Sequence, residues 1–219
     1  MGVTRRELLI WSVQAGGSGA TVLAGRGLVA QAVLRSTMEP NVSPGGASAE
    51  KSLAEVDGER MRSIAAWTSL TLETPSPVPF GADILNSATG ERLMRAVNAV
   101  GPEHDPSAHA ETRCIRLACK KLEGYSLKGY TLYTTCEPCP MCMACALWAG
   151  IDRVVYGATI ADANRFTLQI QIPATEVAKR SDMKCEVVGP VEREVCVAIF
   201  EHPNMQKAFK MWSSNRGRE

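Results

Sequence analysis

Apolar and polar positions change rhythm several times along the 219 residues. Residues 1–32 begin with the basic pair Arg5-Arg6 and run through a mildly apolar, glycine-rich stretch to Val29-Ala30-Gln31-Ala32. Residues 33–52 have no hydrophobic period and carry Pro40, Pro44, Gly45 and Gly46, which is linker composition. From Val56 to about Leu72, Met61, Ile64, Ala65 and Leu70 fall near a 3.6-residue spacing and predict a helix. Pro75, Pro77 and Pro79 then break the chain. Phe80–Leu85 and Leu93–Val97 flank Thr89-Gly90 and read as a hairpin.

Ala108–Leu122 is the clearest helix, with Ile115, Ala118, Cys119 and Leu122 on one side and Lys120 and Lys121 on the other. Tyr130–Thr135 predicts a strand and Arg153–Tyr156 another. Between them Pro140–Ala149 is apolar all round and predicts a buried helix. Strand, helix and strand at these spacings form a right-handed parallel crossover. Residues 160–180 stay open between two readings: Gln169–Ile172 alternates as a strand does, whereas Asp162 and Pro173 suit a loop. From Pro203 onward, Met205, Phe209 and Trp212 share one helical face. The rhythm over 53–219 is that of one α/β sandwich domain.

Charge narrows the partners. Lys plus Arg number 24, Asp plus Glu 23, and aromatic residues make up 5% of the chain. A protein that lives on phosphate contacts carries a basic excess, and one that stacks single strands carries aromatics. Nucleic acid is disfavoured as a partner on both counts. Lys207, Lys210, Arg216 and Arg218 read as a solvated face before a nucleic-acid patch. Residues 1–32 have the basic pair, apolar run and small-x-small end of an export signal. Thr4-Arg5-Arg6-Glu7-Leu8-Leu9 resembles the twin-arginine type, which implies a periplasmic protein. A disordered leader and a start codon upstream of the true one are the alternatives, and both leave the protein in the cytoplasm. The run is too weak for a membrane span.

The candidate chemistry lies in two short segments. Asp105-Pro106-Ser107-Ala108-His109-Ala110-Glu111 opens one predicted helix, and Cys136-Glu137-Pro138-Cys139-Pro140-Met141-Cys142 joins a strand to the next. Cys139 and Cys142, a turn apart at a helix start, share one face and can bind one metal. The helix N-terminus there favours thiolate. His109 offers a third ligand, and three ligands with one position open describe a catalytic zinc, not a structural one. A lone Cys-x-x-Cys would be split between a redox pair, a structural metal and chance; the prolines on both sides of Cys139 and the partner His-x-Glu decide for catalytic zinc. Glu111 lies near enough to reach a zinc-bound water without ligating the metal. Zinc brings that water towards a pKa of ~7, and the carboxylate can pass its proton to a departing amine. Metal, hydroxide and shuttle together describe hydrolytic removal of an amino group from an amidine-like carbon.

The two motifs resemble the zinc-dependent nucleobase deaminases of the cytidine deaminase-like superfamily, with their His-x-Glu and Pro-Cys-x-x-Cys signature. Within it they are most similar to guanine deaminases and tRNA adenosine deaminases. The resemblance implies a three-layer α/β/α sandwich with a five-stranded mixed sheet, usually in a homodimer. It gives zinc to His109, Cys139 and Cys142 and the proton shuttle to Glu111. Asn98 falls where relatives hold an Asn that hydrogen-bonds the base, the Ala110 backbone N–H where the ring is bound, and Trp148 where a Trp lines the guanine pocket. By its residue type alone, Asn98 could equally be a turn residue and Trp148 core. The chain departs from those guanine deaminases at Asp162-Ala163-Asn164-Arg165-Phe166, which lacks their acidic pair, and at its end, which lacks their terminal aromatic.

These features predict a hydrolase that deaminates a small-molecule base or nucleoside, a purine before a pyrimidine. A tRNA or polynucleotide deaminase and a catalytically silent, zinc-keeping binding module are the alternatives. The near-neutral charge counts against the first and the intact Glu111 against the second. Cys136 and Cys145 read as packing, and Cys114, Cys119, Cys185 and Cys196 as buried thiols. For an exported chain, Cys185 with Cys196 is the pair to consider for a disulfide.

Overall fold

A capping box opens the first helix of the computed structural model, which describes residues 51–215. The Ser52 side chain accepts from the Glu55 N–H while Glu55 accepts from the Ser52 N–H. Helix α1 (Leu53–Ser69) follows, then a 3-10 turn over Leu70–Glu73. The proposed signal segment 1–32 and nearly all of the linker lie outside the described residues.

Strands β1 (Gly81–Asn86) and β2 (Arg92–Val97) form the expected hairpin. A short helix, α2 (Val100–Glu103), precedes α3 (Ala110–Lys121), and β3 (Tyr130–Cys136), α4 (Pro140–Trp148) and β4 (Arg153–Ala158) make the crossover. Beyond it come α5 (Ile160–Asn164), α6 (Ala174–Lys179), β5 (Glu186–Val188), α7 (Arg193–Glu201) and α8 (Pro203–Asn215). The sheet runs β2-β1-β3-β4-β5: β1 is antiparallel to both neighbours, while β3, β4 and β5 are parallel. It is the five-stranded mixed sheet of an α/β fold.

Strand alternation sorts the core into two halves. Leu132 and Val154 face Ile115, Met143 and Ala146 on the α3–α4 side. Their neighbours Tyr133 and Val155 face Met61, Ile64 and Phe200 on the α1–α7–α8 side. Phe200 is the hub of an aromatic cluster, with Phe80, Phe166 and Phe209 centred within 6.4 Å of it. Asp57 enters this side buried, held by both guanidinium nitrogens of Arg153 at 2.7 Å and by the Tyr133 hydroxyl at 2.8 Å.

Three expectations are corrected and one open reading is decided. The helix read from Ala108 starts at Ala110, because His109 has the extended backbone of an N-cap (φ −64°, ψ 154°). Gln169–Ile172 is not a strand: the place beside β4 is taken by β5, and the alternating segment runs as irregular chain between two helices. Helix α4 is not buried all round, since Met141 and Trp148 stand on an exposed face. The pair Cys185–Cys196 cannot bridge, because Cys185 packs on the α3–α4 side of the sheet and Cys196 on the other.

Candidate active site

Two helix starts meet at the centre of the site. His109 is the N-cap residue of α3 and Cys139 that of α4, both in extended backbone, so each side chain leaves its helix at the tip. Cys142, one turn into α4, completes the group. The His109 Nδ1 lies 3.7 Å from the Cys139 Sγ and 3.6 Å from the Cys142 Sγ, and the three donor atoms fall within 4.8 Å of one another. Zinc bonds of about 2.3 Å to sulfur and about 2.05 Å to nitrogen, at a tetrahedral angle, put such atoms about 3.6 Å apart. One nitrogen and two sulfurs at that separation fit zinc. The Thr112 hydroxyl, 3.3 Å from the Cys142 Sγ, donates to it and holds the ligand from behind.

The thiols divide their charge unequally. Cys139 is held far below the ordinary thiol range by the hydrogen bond from Cys142, which outweighs burial and is reinforced by His109. Cys142, the donor in that bond and buried, is pushed up. A metal that binds the pair displaces the remaining proton.

Glu111 follows in the first turn of α3, with only 6% of its surface exposed. Burial pushes its carboxyl up to about 7, with His109 opposing and the Cys139 thiolate adding to the rise. A carboxyl in that range can hold and release a proton at neutral pH.

These groups open onto a cavity of about 790 Å³, walled by Pro75–Val78, Phe80, α2, the segment 167–169 and the α8 residues Ala208, Met211 and Trp212. Asn98, just past β2, lies on its lining. Ala110 packs its side chain into the core, and its N–H is among the leading groups of α3 that have no partner within the helix. Trp148 is a correction: it is 77% exposed and borders a separate surface groove with Ala144, Ile172 and Met183, away from the His109 cavity. Asp162, in the segment that departs from the guanine deaminases, is structural. It is buried, caps α5 through Thr159 and pairs with Arg193.

Several lining residues escaped the sequence reading. Trp212 and Met211 were legible as part of a helix, but its apolar stripe reads as core. Trp212 does stack edge-on against Phe209 at 5.5 Å, and from there it reaches the cavity rim. Cys136, read as packing, also reaches the lining.

The sequence pattern of the cytidine and deoxycytidylate deaminase zinc-binding region matches residues 57–158, which include all three ligands and Glu111. A probable cytosine deaminase of Schizosaccharomyces pombe is 34% identical over 131 residues, 57% of this chain and 76% of that protein. The chain belongs to the cytidine and deoxycytidylate deaminase zinc-binding family. Guanine deaminase of Bacillus subtilis is 46% identical over 85 residues, 39% of this chain and 53% of that one. The chain spans about half the length of that protein and of the tRNA-specific adenosine deaminase it also matches. A solved structure from a study of A-to-I editing by tRNA:A34 deaminases is 26% identical with a TM-score of 0.55, over 64% of this chain and 99% of that one. The names of these deaminases record a pyrimidine base, a purine base and a tRNA.

Proposed function

We propose that this deaminase hydrolyses the amino group from a free nucleobase or nucleoside, a purine before a pyrimidine, and releases ammonia. The observation that carries the reading is the buried Glu111 beside His109, Cys139 and Cys142 at the bottom of a walled cavity. Zinc, when bound there, supplies Lewis-acid activation of water near neutral pH. Glu111 then takes a proton at its carboxylate and returns it to the departing nitrogen, so that the leaving group is neutral ammonia. Asn98 and the Ala110 N–H hold the ring by hydrogen bonds, and the apolar walls exclude bulk water.

The walls also favour a small neutral substrate over a phosphorylated one. Arg113, a cation on the lining, is engaged by Glu103 at 2.6 Å and by the Val97 carbonyl at 3.4 Å. A second copy of the chain suits the exposed Met141 and Trp148 of α4 with the neighbouring Ile172, and a homodimer is the assembly we propose. Light scattering of the purified chain reads it directly.

Ammonia release by the zinc-loaded chain, over a panel of bases, nucleosides and tRNA, tests the substrate. Turnover of one free base or nucleoside is expected. Turnover of tRNA alone would overturn the small-substrate reading, and zinc binding without turnover of any of them would favour a binding module.

A further inference from the structure

We propose that Glu137 is a positioning residue that fixes the substrate wall to the ligand loop; the substrate part of this proposal rests on the deaminase reading above. Glu137 stands between the last residue of β3 and the Pro138-Cys139 step, and only 8% of its surface is exposed. Its two carboxylate oxygens serve different masters. One accepts the Ile160 N–H at 3.0 Å and the other the Ala174 N–H at 2.9 Å.

Ile160 and Ala174 are the first residues of α5 and α6, whose leading N–H groups have no partner within their helices. The α6 cap residue is Pro173, which offers no side-chain cap, and Glu137 fills that role from across the fold. Between the two bonds runs the segment that brings Thr167, Leu168 and Gln169 to the cavity. Phe166 anchors its first half in the Phe200 cluster, but beyond Thr167 it has little packing of its own: Leu168 is 59% exposed and Ile170 57%. Its position is therefore set largely by its ends. Glu137 holds both of them, and its own N–H is fixed to the Ala158 carbonyl at 2.7 Å. One side chain thus ties the strand end before Cys139 to both helix starts that flank the opposite wall.

The residue type follows from the geometry. Two N–H donors at two oxygens need a carboxylate; glutamine offers one acceptor and turns an N–H₂ towards the other donor. A buried N–H left unpaired in this way is costly, and the segment shifts to relieve it.

The test uses the full zinc-loaded chain and Glu137→Gln, with metal content, hydrogen exchange and kinetics measured together. Zinc per chain should match the parent, exchange should rise at Ile160, Ala174 and 165–173 but not across the sheet, and KM should rise about tenfold with kcat within about threefold. Ala174→Pro is the second variant. Proline is well suited to a first helical position and deletes only one of the two donors. With Glu137 intact it should raise exchange over 165–172 and KM in the same direction but less, position 174 having no amide left to read. Unchanged exchange over 165–173 with unchanged KM in both variants would overturn the proposal. So would loss of zinc with exchange unaltered, which would make Glu137 a support of the ligand loop alone. If the parent chain deaminates nothing, the functional reading fails, and the exchange pattern by itself still decides whether Glu137 holds the segment.

Discussion

At the floor of the cavity, His109 and Glu111 begin one helix, and Cys139 and Cys142 begin another. At its wall, Pro75–Val78, the segment 167–169 and Trp212 come from three places far apart in the chain. The floor is two short motifs with fixed internal spacing, each placed by its own helix cap. The wall is assembled by tertiary packing and by single links such as Glu137. In this molecule reaction type is written locally and substrate fit is written globally. The relatives that the chain matches carry the names of different substrates.

Variants on the two sides should fail differently. Glu111→Gln should lower kcat by about 10²–10⁴-fold, with zinc content kept and KM little changed, as steady-state kinetics and metal analysis would read. Phe200→Ala, behind the wall, should cost about 3–5 kcal/mol of folding stability, because a fully buried ring at the centre of three aromatic partners is lost. Urea unfolding measures it, and a loss below about 1 kcal/mol would show that the wall does not depend on that cluster. Trp212→Ala should raise KM several-fold, about 1 kcal/mol of binding, and leave kcat nearly unchanged. A kcat loss as large as that of Glu111→Gln would break the distinction between floor and wall.

The smallest effect concerns pH. Asp105, in the turn before His109, accepts from the Ser107 hydroxyl and N–H and from Arg116. The Ser107 hydroxyl first, then Arg116, holds its carboxyl down at about 2. A depressed acid contributes stability above its ordinary value, and the contribution fades as the pH falls from about 4 towards about 2. The parent's urea midpoint should therefore fall more steeply over that interval than that of Asp105→Asn, and the two curves should converge at its lower end. Parallel curves would remove Asp105 from the account of how the floor is held.

The same division explains what could be read without coordinates. Helices α1, α3, α4 and α8 and strands β1 to β4 carry enough period to be placed within a few residues, and His109, Cys139 and Cys142 converge as their spacing implied. Strand β5 could not be read, since three residues make no alternation, and Gln169–Ile172 mimicked the strand that Glu186–Val188 supplies. Trp148 sits neither in the core that its residue type suggested nor on the cavity that the resemblance implied, since an apolar helix does not reveal which of its faces meets the core. Trp212 misled in the opposite way: a residue on a core stripe can also border a cavity when the stripe runs past its rim. Glu137 stood in plain view inside the motif. What it binds lies 23 and 37 residues downstream, and no local pattern carries that information.

The two outer strands of the described sheet bear on how the chain behaves in a crowded solution. An open strand edge is a template on which another chain can add itself. Strand β5 offers only three residues for such pairing. Strand β2 is longer, but it carries Arg92 and Arg95, both tied back to Asp83 on β1. Asp83 is buried and Arg95 largely so, while Arg92 stands more open to solvent. As charges on a sheet edge the two arginines discourage intermolecular strand addition, so the colloidal stability of the protein rests partly on residues with no part in its chemistry.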